Sequence, residues 1–162
     1  MPAPAGAAPA TPLRPAVPPG PSPAWAEPFG DSARCVALVR SHARAFLLRA
    51  HLQRQLREDA LLVISELVTN AIRHTHGPGR VRLAPGPDGL DVEVSDTSRV
   101  LPQPRLVEPG TALTGRGLAI VAVLCDTLSV TLDVGSGKTV HAHLAPVPPA
   151  PAPGPARPAR SW

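Results

Sequence analysis

The chain has a single lysine in 162 residues, Lys138, and every other permanently charged basic side chain is arginine. It has only two cysteines, Cys35 and Cys125, ninety residues apart, with no CxxC spacing and no Cys/His cluster. That excludes a disulfide scaffold and a structural zinc site, and it predicts two reduced, buried thiols in a cytoplasmic protein. Long apolar runs are also missing. The longest, Leu118 to Cys125, is far short of the roughly 20 residues that a membrane-spanning helix needs. The first residues lack a basic start followed by an apolar run, which argues against a secretory signal. No internal repeat is visible.

The formal charge is +4, from 16 Lys+Arg against 12 Asp+Glu, which invites a nucleic-acid reading. Arg14, Arg157 and Arg160 lie in the terminal regions, however, leaving 13 basic against 12 acidic residues between them. So even a balance offers no electrostatic footprint for nucleic acid. The terminal regions stand apart in composition. Residues 1–23 hold nine prolines and residues 145–162 hold seven, out of 23 in all. Segments so rich in Pro and Ala, with few large apolar groups, cannot bury enough surface to offset their ordering entropy. The expected organisation is two disordered tails around one domain, residues 24–144, long enough for a single core.

Within that domain, Asp31-Ser32 precedes Val36, Val39, Ala43, Phe46, Leu47 and Ala50 at helical spacing. A second helix is expected from about Glu58 to His74, stopped by His76-Gly77-Pro78-Gly79. No Gly, Pro or Asn marks the break between the two helices, which is expected near His51–Leu56. Val81 and Leu83, then Leu90, Val92 and Val94, alternate with polar residues around a Pro85–Gly89 turn and predict a hairpin. Ser98 to Thr114, with three prolines, reads as a long functional loop. A helix over Gly117–Cys125 and strands over Leu128–Val134 and Thr139–Leu144 complete the domain. Trp25 and Phe29 are expected in an edge strand and core plug. The pattern predicts an α+β two-layer sandwich: a mostly antiparallel mixed sheet covered on one face by helices.

The stretch GSGKT, Gly135–Thr139, resembles the end of a phosphate-binding loop. That loop needs a second glycine five residues before Gly137, where Leu132 stands, and a helix afterwards, where Val140 to Leu144 alternates like a strand. The stretch therefore reads as a hairpin turn. His141 and His143 share one strand face without further ligands, and His74 and His76 sit at a helix end. Neither pair predicts a metal site. Arg80 and Arg82 fit the wet face of a hairpin.

The most informative segment is LLVISELVTNAIRH, residues 61–74. It is apolar around most of its circumference, while Glu66, Asn70 and His74, four apart, form one narrow polar line. A carboxylate and a carboxamide among apolar neighbours suggest a pocket wall. A carboxylate can take a proton, and an amide oxygen suits Mg2+. A simple water-facing stripe is the alternative reading of the same pattern.

Glu66-Leu67-Val68-Thr69-Asn70-Ala71 resembles the N-box of the GHKL (Bergerat-fold) ATP-binding superfamily. Together with Asp96 in VEVSDTS, the run Gly115 to Val121 and the closing GKTV, it resembles the bacterial anti-sigma factor serine/threonine kinases of the short actinobacterial type. The resemblance covers about Phe29 to Leu144. It implies Asn70 as the Mg2+ ligand, Glu66 as general base, and Asp96 as acceptor for the adenine amino group. It further implies Thr114, Gly115, Arg116, Gly117 and Leu118 around the phosphates, with 103–114 as the lid. Thr139 is implied close to the adenine, and Ser98 where the superfamily carries glycine, adding bulk beside the base. The implied cofactors are ATP and Mg2+. The implied partners are a sigma factor or an anti-sigma antagonist, the substrate of phosphorylation, and a second copy of the chain. The alternative is a non-catalytic module whose nucleotide gates protein binding.

Overall fold

A computed structural model describes residues 23–75, 77–101, 117–135 and 137–146. Almost all of both Pro-rich tails, and most of the long loop with the expected lid, lie outside these residues. Five strands and three helices are described: β1 (Trp25–Phe29), α1 (Arg34–Arg49), α2 (Arg54–Thr75), β2 (Gly79–Gly86), β3 (Gly89–Asp96), α3 (Gly117–Leu124), β4 (Thr127–Leu132) and β5 (Lys138–Leu144). The sheet order is β1-β2-β3-β5-β4, and all four pairings are antiparallel.

Strand alternation builds the core. Leu90, Val92 and Val94 of β3 face Leu144, Ala142 and Val140 of β5, and Val81 and Leu83 extend the row into β2. All are buried. Over this face lies α2, burying Leu56, Ala60, Leu61, Val63, Ile64, Leu67, Val68 and Ala71. α1 adds Val39, Ala43, Phe46 and Leu47. Burying each large aliphatic side chain contributes about 1.5–3 kcal/mol, so the packing of α2 onto β2, β3 and β5, with α1 against α2 and β1, carries most of the stability. Trp25 stacks on Phe46 with ring centroids 5.9 Å apart, and Phe29 is buried, which makes β1 the expected edge strand and plug. The ring of Phe29 lies where a Cβ on Gly79 would sit, so glycine is what lets the plug seat.

The start of the second helix differs from expectation. α2 begins at Arg54, not near Glu58, and α1 stops at Arg49 because His51 turns the chain with φ 53. The break falls at the start of the expected His51–Leu56 stretch, although histidine in this left-handed region carries no sequence signal comparable to a glycine. Ser32 behaves as an early cap. Its Oγ accepts from Arg34 N at 3.3 Å and its carbonyl accepts from Cys35 N at 2.9 Å.

Both cysteines are free but half-buried rather than buried. Burial, with the neighbouring Asp126 carboxylate, still pushes the Cys125 thiol up to about 11. No helix among the described residues is long and apolar enough to cross a membrane.

Candidate functional site

The polar line on α2 lies in a half-buried position, not on an open face. Glu66 and Asn70 are intermediate in exposure, and only His74, a turn further on, is exposed. Neither Glu66 nor Asn70 has a hydrogen-bond partner among the described residues. The helix presents them because the residues around them, Leu67, Val68 and Ala71, are drawn into the core. Glu66 meets the first residue of α3. A Cβ on Gly117 would fall on the Glu66 carboxylate oxygen, the movable end of that side chain, so glycine lets the two approach without a shift. The free N–H end of α3 is thereby set against a carboxylate. Leu118, half-buried, packs on the core beside it. Thr114, Gly115 and Arg116 lie outside the described residues.

Asp96 closes β3 on the same, helix-covered side of the sheet. It is opposite Gly79 of β2 and Lys138 of β5. The chain from α2 runs directly to this corner: Gly77 packs on Thr97, where a Cβ would stand 2.7 Å from Oγ1. Asp96 therefore sits near the C-terminal end of α2. Asn70 lies five residues back from Thr75, about 7.5 Å of helix, and Glu66 about 13.5 Å.

Asp96 is buried, and its Oδ1 accepts from Ser98 N at 2.8 Å and from Lys138 Nζ at 2.8 Å. Lys138 Nζ also donates to the Ser98 carbonyl at 3.3 Å. The side chains of both Asp96 and Lys138 are 3% exposed. Gly137 makes this possible, since at φ 105 its missing Cβ leaves room for the Asp96 carbonyl. Asp133 N donates to the Gly137 carbonyl at 3.1 Å, so the chain turns back between β4 and β5 as expected, but Lys138 is buried.

Thr139 and Ser98 are each held by bonds of their own. Thr139 follows Lys138 on the strand and so points to the opposite, outer face. There its Oγ1 bonds Ser95 Oγ at 3.1 Å and Asp133 Oδ1 at 3.1 Å. The side chain that meets Asp96 from β5 is Lys138. Ser98, in turn, has no positive φ, so glycine's freedom is not needed there. Its Oγ accepts from Val100 N at 3.1 Å and steadies the turn. The parity that places Lys138 was in the sequence: Val140, Ala142 and Leu144 are the apolar set of β5, and position 138 shares their phase.

The histidines of β5 sit on the outer face with carboxylates across the strand. His143 Nδ1 is 2.7 Å from Asp91 Oδ1, and His141 Nδ1 is 3.9 Å from Glu93 Oε1. Arg82 donates to Glu93 at 3.0 Å. The hydrogen bond with Asp91 raises the His143 pKa. Among the described residues no group of three or more His, Cys, Asp or Glu could hold a metal ion.

The model of the histidine kinase-like ATPase domain family matches residues 30–143, and the chain belongs to that family. No curated protein matches it. Among solved structures, the chain is similar to the crystal structure of the RsbU and RsbW domains of Rv1364c from Mycobacterium tuberculosis. The TM-score is 0.56 and the identity 19%, over 78% of this chain and 34% of that one. At this identity the likeness speaks to the fold. The present chain spans about a third of that protein chain's length.

Proposed function

We propose that the chain binds ATP with Mg2+ and acts as a protein serine/threonine kinase on an antagonist protein of the anti-sigma type. The observation that carries this reading is the order of groups along α2. Asp96 lies at one end, Asn70 comes next, and Glu66 faces the N-terminus of α3 at the other. That order suits an extended nucleoside triphosphate laid along the helix, base at Asp96 and terminal phosphate at α3. Family membership supports the nucleotide, and the sequence resemblance to anti-sigma factor kinases supports the acceptor and the partners: the antagonist, a sigma factor, and a second copy of the chain.

The residues present fit the group. The Asn70 amide has no described partner, so its oxygen is available to a hard cation. Mg2+, when bound, supplies charge neutralisation on the phosphate oxygens. Asp96 accepts the adenine amino group, with Ser98 holding its carboxylate in place. Gly117 and Leu118 begin the helix whose N–H groups face the phosphates, and Thr114, Gly115 and Arg116 precede them in sequence. Glu66 takes the proton of the acceptor hydroxyl. The hydroxyl oxygen bonds to the γ-phosphorus, the bond to ADP breaks, and catalysis is mostly positioning.

Calorimetric titration of MgATP into the full chain tests the site. The wild type is expected to bind, and Asn70→Ala to lose the Mg2+-dependent part of its affinity. Transfer of labelled phosphate to a cognate antagonist, abolished in Glu66→Gln, tests the chemistry. Binding without transfer to any cognate antagonist would leave the nucleotide-gated binding module as the function. Absence of binding at millimolar MgATP would remove the nucleotide altogether.

A further inference from the structure

Three apolar cross-strand pairs line the core face between β3 and β5, and the fourth pair in that row is a lysine and an aspartate. A buried ion pair is a weak source of stability, because desolvation of both charges offsets their attraction. An apolar pair would continue the row at no such penalty. The pair's hydrogen bonding is also incomplete in a specific way. Both described bonds to the carboxylate fall on Oδ1. Oδ2 has no described partner, and no side-chain nitrogen or oxygen among the described residues is both sealed from solvent and unpartnered. Among the described residues, Oδ2 is thus the carboxylate oxygen left without a bond. An ammonium carries three N–H groups, and Lys138 uses two, on Asp96 Oδ1 and Ser98 O. Among the described residues, one carboxylate oxygen and one ammonium N–H are thus left without a bond, on groups whose nearest atoms are 2.8 Å apart.

We infer that Lys138 is a specificity-determining residue that reads the base together with Asp96. The inference rests on the nucleotide reading of this site and deepens it. Adenine offers an exocyclic N–H donor next to the ring acceptor N1, complementary to a free carboxylate oxygen beside a free N–H. Asp96 Oδ2 takes the amino group and Lys138 Nζ donates to N1. A 6-oxopurine in the same pose sets an oxygen against Oδ2 and an N–H against Nζ, two mismatches at once. Arginine could not serve as well in this position. Its five donors in a fixed fork would need more partners than this corner offers, whereas an ammonium is a compact point charge.

The test compares MgATP with the magnesium complex of 1-deaza-ATP, in which N1 is replaced by C–H, by calorimetry on the full chain. A hydrogen bond from a charged donor predicts 1-deaza-ATP binding about 10- to 100-fold more weakly to the wild type. In Lys138→Met the affinity for MgATP falls and the difference between the two nucleotides collapses. In Lys138→Arg, which keeps the charge, part of the difference remains. The inference is overturned if the wild type binds both nucleotides alike, or if folded Lys138→Met keeps the full difference. The wild-type comparison decides the matter even where the methionine variant does not fold. A wild type that binds neither nucleotide defeats the site reading itself, and this inference with it. That outcome is distinct from binding both alike.

Discussion

β3 and β5 set a basic side chain beside a carboxylate on each of their two faces. On the helix side Lys138 Nζ is 2.8 Å from Asp96, and on the outer side His143 Nδ1 is 2.7 Å from Asp91. Strands and distances match; the surroundings do not. The inner pair is 3% exposed at both side chains, while the outer pair is 29% and 58% exposed. Two unit charges about 4 Å apart attract by about 1 kcal/mol in water and about 4 kcal/mol in a partly shielded protein site. The inner pair also loses more hydration. The outer pair is therefore expendable, and the inner one is expensive to break by halves.

Removing one inner partner should have the largest effect. Lys138→Ala leaves Asp96 buried and unpaired and is expected to destabilise the fold by about 3–5 kcal/mol, read as a lowered urea midpoint. The double variant Asp96→Leu/Lys138→Met should recover most of that loss. If the double variant is as unstable as the single one, the buried pair is a net stabiliser and the contrast fails. Gly137→Ala comes next. It places a Cβ on the Asp96 carbonyl at a φ of 105, with an expected cost of about 1–3 kcal/mol. Nucleotide affinity should fall with it, because the same backbone sets Lys138 against Asp96.

The outer pair sets the small end of the scale. Its hydrogen bond raises the His143 pKa above the ordinary value of 6.5. A raised folded-state value contributes stability that is fully present below the unfolded pKa and is lost as pH climbs through the folded one. Asp91→Asn should return the His143 titration, followed by NMR, towards the ordinary value. Its effect on stability should stay below about 1 kcal/mol, as for surface pairs generally. Cys125 shows burial without any opposite charge. With its thiol pushed up to about 11, alkylation by iodoacetamide at pH 8 should be slow beside a free cysteine, gaining speed only as pH approaches that value. Rapid alkylation at pH 8 in the folded state would contradict it.

Much of this was legible in the sequence because the periodicities were clean. The apolar ring around Glu66 and Asn70 identified α2 and its polar line, and alternation across Val81 to Val94 identified the first hairpin. What stayed hidden was non-local. Nothing in the chain's local pattern sets β5 between β3 and β4, and that placement alone brings position 138 to Asp96. The break between the helices was set near His51–Leu56, but its cause, a left-handed histidine, is not something histidine advertises. Thr139 was placed at the base from the motif resemblance, although the phase of Val140, Ala142 and Leu144 already assigned that side to Lys138. Ser98 stands where the resemblance implies a glycine, and its ordinary backbone and bonds to Asp96 and Val100 could not be read from the sequence.

The lone lysine has a practical consequence. The chain has one side-chain amine, and the fold keeps it from solvent. With 3% of the Lys138 side chain exposed, the rate of its modification by an amine-reactive label becomes a clock for how far the corner joining β3 and β5 opens. No neighbouring lysine contributes background. A ligand seated on the pair would slow the clock, and the same peptide mass would report occupancy and breathing together.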